Sequence, residues 1–196
     1  MITTRAGQLQ RVTNETNVTV ELHLDGRGQA TIVTGIGFLD HLWTAFARHS
    51  RCDLTLRCEG DLHVDDHHTS EDVALTLGQA LDQALGDRRG ITRFGQALVP
   101  LDEALTRVAI DLSGRPFADV NLGLTREALG ALSAENIPHA LRTFATAARL
   151  TLHVDVLKGE NDHHRGGSAF KGLAGALRQA VSPSGFDDVP STKESL

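Results

Sequence analysis

The chain has 196 residues, 40% hydrophobic and 22% charged, enough to bury a core in one domain or in two half-domains sharing one. That composition excludes a disordered chain, a collagen-like repeat and a small disulfide-stapled scaffold. A formal net charge of −6 excludes the broad basic face of a nucleic-acid binder, so any phosphate must meet a few placed cations.

Residues 18–35 read as two alternating segments about the polar turn Asp25-Gly26-Arg27, the pattern of a β-hairpin. A helix is predicted over 38–48 and a strand over 53–57. A long amphipathic helix starts near His67-His68 and runs to about Leu85. The polar stretch 86–90 reads as a join. Alternating segments then return over 106–123 about Ser113-Gly114-Arg115, followed by a helix over 134–148 and a strand over 150–156. A second long helix leads from His163-His164 to about Val181, and the tail beyond Ser182, with Pro183 and Pro190, is expected to be mobile.

This order is a repeat. Residues 106–123 match 18–35 at an offset of 88, with both glycines and the Gly-Arg corner in register. Residues 149–180 match 53–84 at an offset of 96, where Leu-Thr-Leu, Asp-His-His and Ala-Leu-x-Gln-Ala coincide. His41 with Phe46-Ala47 matches His139 with Phe144-Ala145 at an offset of 98. The predicted fold is α+β, an internally duplicated two-layer sandwich of two ββαβα half-domains over 1–90 and 91–182, with a tail over 183–196.

Ten histidines stand beside no tyrosine, one tryptophan and one methionine. The duplication pairs six of them: His41 with His139, His67 with His163 and His68 with His164. Neutral imidazole is the commonest nitrogen ligand for divalent metals. His67 and Glu71, four residues apart on a helix, share a face and can reach one ion. Adjacent residues diverge by about 100°, so His68 should serve a different metal. One His-His pair alone would read as a surface or capping feature; two in matched context favour two metal sites. Mn, Fe, Zn and Ni all suit such ligands. The unpaired His23, His49, His63 and His153 have ordinary structural readings, with His153 placed opposite Arg57 in the repeat. Cys52 and Cys58 are too few and too close for a disulfide framework, and no apolar run suits a signal peptide or a membrane span. A cytoplasmic protein without a membrane partner is expected.

The chain carries Gly-Ile-Gly-Phe-Leu-Asp-His (35–41), Asp-Asp-His-His-Thr-x-Glu-Asp (65–72), Asp-Leu-Ser-Gly-Arg-Pro (111–116), Asn-Asp-His-His (161–164), Phe-Lys (170–171) and Pro-Ser-Thr-Lys (190–193). Together, and in this order over nearly the whole chain, they resemble imidazoleglycerol-phosphate dehydratase. The resemblance implies dehydration of imidazole glycerol phosphate to imidazole acetol phosphate in histidine biosynthesis. It also implies a duplicated fold of the kind known from a ribosomal protein domain, and two divalent ions, usually manganese. The implied assembly is a large homo-oligomer (a 24-mer) with metal sites where subunits meet. One metal would be held by His41, His68 and His163, the other by His67, Glu71, His139 and His164. Glu15, in the 11–17 segment, would move protons. Arg93, Arg115, Lys171, Ser191 and Lys193 would bind the substrate phosphate, with the tail closing over it.

Two departures stand out. The family's second double histidine is followed three residues later by glutamate, where this chain has Gly167. The first metal thereby loses its only carboxylate, and Gly166-Gly167 weakens the start of the helix. Glu194 stands where the family often has glycine. From the residues alone, a binuclear hydrolase or an impaired, metal-binding assembly protein remains an alternative.

Overall fold

Each repeat builds a four-stranded sheet with two helices on one face. The structure, a computed structural model, describes residues 5–196; residues 1–4 of the expected first half lie outside the described residues. In the first half, β1 (Ala6–Val12) and β2 (Thr16–His23) form an antiparallel hairpin. β3 (Ala30–Val33), α1 (Gly37–Ser50) and β4 (Asp53–Gly60) then make a parallel crossover, and α2 (His67–Leu85) closes the half. The second half repeats this with β5 (Phe94–Leu101), β6 (Ala104–Asp111) and β7 (Phe117–Asn121). A short hairpin of β8 (Ala128–Leu129) and β9 (Leu132–Ser133) precedes α3 (Asn136–Ala147), β10 (Thr151–Lys158) and α4 (Asp162–Ala180). The sheet orders are β1-β2-β4-β3 and β5-β6-β10-β7.

The duplicated α+β sandwich is as expected, but two details of the sequence reading are corrected. The hairpins expected at 18–35 and 106–123 do not form, because β4 lies between β2 and β3, and β10 between β6 and β7. The Asp53 carboxylate accepts the backbone N–H groups of Arg27 and Gln29, both at 2.8 Å, and so pins the supposed turn to the start of β4. The chain then needs α1 to cross back in parallel. The hairpins are instead β1–β2 and β5–β6, and each half is βββαβα. Secondly, Val20 pairs with Leu56 while Val108 pairs with Val154, so β4 and β10 correspond at an offset of 98, not 96. A slip of two residues keeps every side chain on its own face and leaves the pattern intact. Thr55, not Arg57, is therefore the counterpart of His153. The offset falls to 96 only at α2 and α4, where Gln83 and Gln179 accept the backbone N–H groups of Gln8 and Gln96 at 2.9 and 2.8 Å.

Alternation places Val18, Val20 and Leu22 of β2 and Val108 and Ile110 of β6 under the helices. The helical layers of the two halves face each other, α1 on α4 and α2 on α3. Trp43 stands 4.9 Å from Phe170 and 5.6 Å from Phe144, ring centre to ring centre, so the halves share one core. Each such ring contributes roughly 1.5–3 kcal/mol by leaving water. Gly7 and Gly95 let strand and helix meet: a Cβ there would lie 2.0 Å from the Ala80 carbonyl oxygen and 1.9 Å from that of Ala176.

The tail folds onto the join between the halves. Gly90 N–H donates to the Asp188 carbonyl at 2.8 Å, the Arg93 guanidinium to the Pro190 carbonyl at 2.7 Å, and Arg89 to the Asp187 carbonyl at 3.0 Å. The segment expected to be mobile is thus hydrogen-bonded into place. Glu194 has φ +58°, a left-handed conformation that glycine adopts freely.

Candidate metal centre and phosphate site

The double histidines open α2 and α4, where loop side chains fix the first turns. Asp65 accepts the His67 N–H at 2.8 Å, and Asn161 accepts the His163 N–H at 2.9 Å. Asp66 accepts from the Ser133 N–H (2.6 Å) and hydroxyl (2.8 Å), tying the start of α2 to the β8–β9 hairpin. Asp162, almost wholly buried, holds the Thr125 and Arg126 N–H groups at 2.8 and 2.7 Å beside the start of α4.

His67 and Glu71 of α2 meet His139 of α3. Their donor atoms lie within 4.8 Å of one another, and Glu71 Oε1 is 3.0 Å from His139 Nε2. The His67 and His139 rings stack at 4.8 Å, while His67 Nδ1 lies 3.0 Å from Asn136 Oδ1, which leaves Nε2 for a ligand. A divalent ion holding nitrogen and oxygen donors at roughly 2.1 Å draws opposite donors to within roughly 4.2 Å of each other. The three groups therefore fit one ion with sub-ångström side-chain adjustment.

The duplicated position holds His163 of α4 and His41 of α1, ring centres 5.2 Å apart. Phe38 packs on both, 5.1 Å from His163 and 5.8 Å from His41. Burial, and then the neighbouring His41, lowers the His163 pKa. Among the described residues, no carboxylate joins this pair in a cluster. Gly167 occupies the place of Glu71.

His68 and His164 point away from both pairs. His68 Nδ1 is 3.0 Å from Asp61 and its Nε2 3.6 Å from Glu15; the Asp61 contact raises its pKa, with Glu15 adding to the effect. His164 Nδ1 is 2.7 Å from Glu103 and its Nε2 3.5 Å from Asp102. Backbone N–H groups, that of Asn161 first, together with His164 push the Glu103 carboxyl down to about 2. Asp61, Glu103, Asn136 and Phe38 are not among the site residues expected from the sequence, although Phe38 falls in the 35–41 motif. Glu103 was findable, since it follows Glu15 by 88 residues, the offset of the two hairpins. Glu15 itself is carried on the β1–β2 turn, which Arg11 (3.0 Å) and Thr16 (2.5 Å) fasten to Asp72 of α2.

Four of the candidate phosphate residues, Arg93, Arg115, Ser191 and Lys193, gather at the opposite end of α4. Arg93 grips Asp111 with two N–H groups, at 2.7 and 3.1 Å, and its own N–H donates to the Ala180 carbonyl at 2.9 Å. Arg115 lies 3.9 Å from the same carboxylate with its side chain exposed, and Ser191 Oγ accepts the Lys193 N–H at 3.2 Å. Lys171 sits midway along α4. The 19 residues of α4 span roughly 27 Å, which separates Arg93 from His163 within one chain.

A duplicated α+β sandwich with double histidines at matched helix starts, joined at the first by Glu71, has the donor set of a metal-dependent enzyme class. Comparison with known proteins narrows it. A family profile described as imidazoleglycerol-phosphate dehydratase matches residues 34–177, and the chain belongs to that family. Imidazoleglycerol-phosphate dehydratase of Candida glabrata is 55% identical over 94% of this chain and 97% of its own length. That of Saccharomyces cerevisiae is 50% identical over 98% of each. A Phytophthora nicotianae relative of the same name is 57% identical, and the chain spans 42% of its length. Among solved structures, the Staphylococcus aureus enzyme superposes with a TM-score of 0.83 at 34% identity over 91% of this chain and 99% of its own. The Pyrococcus furiosus enzyme gives 0.83 at 37% identity over 96% and 100%.

Proposed function

We infer that this chain is a hydro-lyase of histidine biosynthesis that converts imidazole glycerol phosphate to imidazole acetol phosphate and water. The observation that carries this is the convergence of His67, Glu71 and His139, from different halves, in a chain of this family. Bound divalent ions, two per chain and manganese by family habit, would supply Lewis acidity and a template for the imidazole ring. His67, Glu71, His139 and His164 would hold one, and His41, His163 and His68 the other.

The residues of the chain perform the remaining tasks. Arg115 offers its planar N–H fork to the phosphate and Arg93 the N–H groups that Asp111 and Pro190 leave over, with Lys171, Ser191 and Lys193 completing the cradle. Asp111 keeps Arg93 pre-oriented before substrate arrives. Glu15, half exposed beside His68, can take a proton from carbon and return one to the departing hydroxyl. The tail, hydrogen-bonded to Arg93 through Pro190, carries Ser191 and Lys193 to the substrate.

Sites between subunits of a large homo-oligomer explain two separations. Each metal's ligand set is split in the monomer, with His68 and His164 facing outward from their partners. Arg93, at the far end of α4, lies a helix length from the histidines. A neighbouring copy would bring Glu15 with His68, or Glu103 with His164, to the open side of a pair. Among the described residues no helix is long and apolar enough to cross a membrane, and the cytoplasm is the compartment proposed.

The test is turnover of imidazole glycerol phosphate by the purified chain with added Mn2+. Appearance of the keto product supports the dehydratase; release of inorganic phosphate instead would establish a hydrolase.

A further inference from the structure

The duplication supplies an internal comparison between the two clusters. His67 corresponds to His163, and His139 to His41, and both pairs bring their rings within 4.8 and 5.2 Å of one another. Two differences surround these matched pairs. Where the first has Glu71, the second has Gly167. Where the first has Asn136 at 3.0 Å from His67 Nδ1, the second has Phe38, whose ring packs 5.1 Å from His163 and accepts or donates no such bond.

Among the described residues, the carboxylates adjoining the second pair in sequence, and Glu103, are engaged elsewhere. Asp40, on the same helix as His41, is held by the Thr34 N–H at 2.9 Å and hydroxyl at 2.6 Å. Asp162, next to His163, is committed to Thr125, Arg126 and Arg165. Glu103 is occupied by His164 and the Asn161 N–H.

We propose that this chain carries two metal clusters of unequal strength and preference. The Glu71 cluster is the tight Mn2+ site; the His41–His163 cluster, lacking both carboxylate and ring-orienting amide, retains Mn2+ poorly and favours Zn2+ or Ni2+. The proposal rests on the reading that both histidine pairs hold metal. Its chemistry is general: carboxylate donors suit Mn2+, whereas all-imidazole sets suit Zn2+ and Ni2+. A lost carboxylate also removes a negative charge from the ligand set, and an unoriented imidazole weakens a site by roughly 10–100-fold.

Space exists to reverse the difference. A Cβ at Gly167 would meet only the tip of the Leu101 side chain, at 3.2 Å, which can move aside.

The experiment is equilibrium dialysis of the full assembled protein against Mn2+ and, separately, Zn2+, with metal analysis and Mn2+ electron paramagnetic resonance. The expected Mn2+ isotherm has two classes at least ~10-fold apart, and Zn2+ narrows the gap. Gly167→Glu is expected to raise the weak Mn2+ class ~10-fold, whereas Gly167→Ala, which restores helix propensity without a donor, leaves it unchanged. Glu71→Gly, introduced separately, should collapse both classes to the weak value, which keeps the test open if Gly167→Glu does not fold. Two equally tight Mn2+ ions in the parent chain, or no tightening in folded Gly167→Glu, would overturn the inequality while leaving metal binding intact. Failure of the parent chain to retain either metal would instead overturn the underlying reading of the clusters.

Discussion

The guanidinium of Arg88 donates to the carbonyl of Ala148 at 3.0 Å, joining the end of the first half to the turn between α3 and β10 in the second. It also donates to the Arg149 carbonyl at 2.9 Å and pairs with Asp82 while only 2% exposed. Three acceptors satisfy a buried cation, so removing it strands them together. Arg88→Ala should destabilise the fold by about 3 kcal/mol, read by urea unfolding. Arg88→Lys, which keeps charge but loses the fork, should cost less but remain measurable. A change within experimental error in Arg88→Ala would mean that the halves do not depend on this clamp.

Gly7 and Gly95 make a matched pair of contacts, so they predict matched effects. With carbonyl oxygens of Ala80 and Ala176 at 2.0 and 1.9 Å from a notional Cβ, alanine must push each helix from its sheet. Gly7→Ala and Gly95→Ala should each cost about 3 kcal/mol by overpacking. Gly37, with nothing within 4 Å, is the control and should accept alanine with little loss. Thermal melts of the three variants decide the matter.

The Arg5–Asp25 pair sets an acid-dependent contribution. Its hydrogen bond from Arg5 lowers the Asp25 pKa from the ordinary 3.8. Because the folded value is depressed, the stabilisation is present above about pH 3.8 and lost as pH falls through the lower folded value. Asp25 is half exposed, so screening limits the effect to under about 1 kcal/mol. Asp25→Asn should therefore melt below the parent at pH 7 and converge with it as acid protonates the Asp25 carboxyl. A gap that persists at low pH would assign it to something other than the carboxylate charge.

Asn136 orients His67 through Nδ1, at 3.0 Å. Asn136→Ala should weaken metal retention at the Glu71 cluster by roughly 10-fold, while thermal stability of the metal-free protein changes little. Calorimetric metal titration separates the two effects. An unchanged affinity would reduce Asn136 to a helix-end residue.

Much of this architecture was legible because the chain is written twice. His67 and Glu71 needed no structure to be grouped, since helical spacing puts them on one face, and repeat order selected His41 and His139 as a matched pair. The first strand of the first half was hidden for a physical reason. The inward positions of β1 are Gly7, Leu9 and Arg11, where glycine and a paired arginine erase the apolar alternation that marks a buried strand. The false hairpins arose because Asp25-Gly26-Arg27 has turn chemistry, while the residue that overrides it, Asp53, lies far along the chain. Asp61 escaped because its role follows from which imidazole nitrogen it meets, a geometric fact that spacing does not encode, whereas Glu103 stood open to the 88-residue offset from Glu15.

The length of α4 has a genetic consequence. If metal comes from one chain and phosphate contacts from its neighbour, then chains ruined at opposite ends of that helix can rescue one another. Glu71→Ala and Lys193→Ala proteins, each inactive alone, should regain activity when unfolded together and reassembled. In a random mixture about a quarter of the sites join an intact metal cluster to an intact phosphate cradle. Two defective alleles in one cell would then support growth that neither supports alone, and the recovered activity would count the interfaces directly.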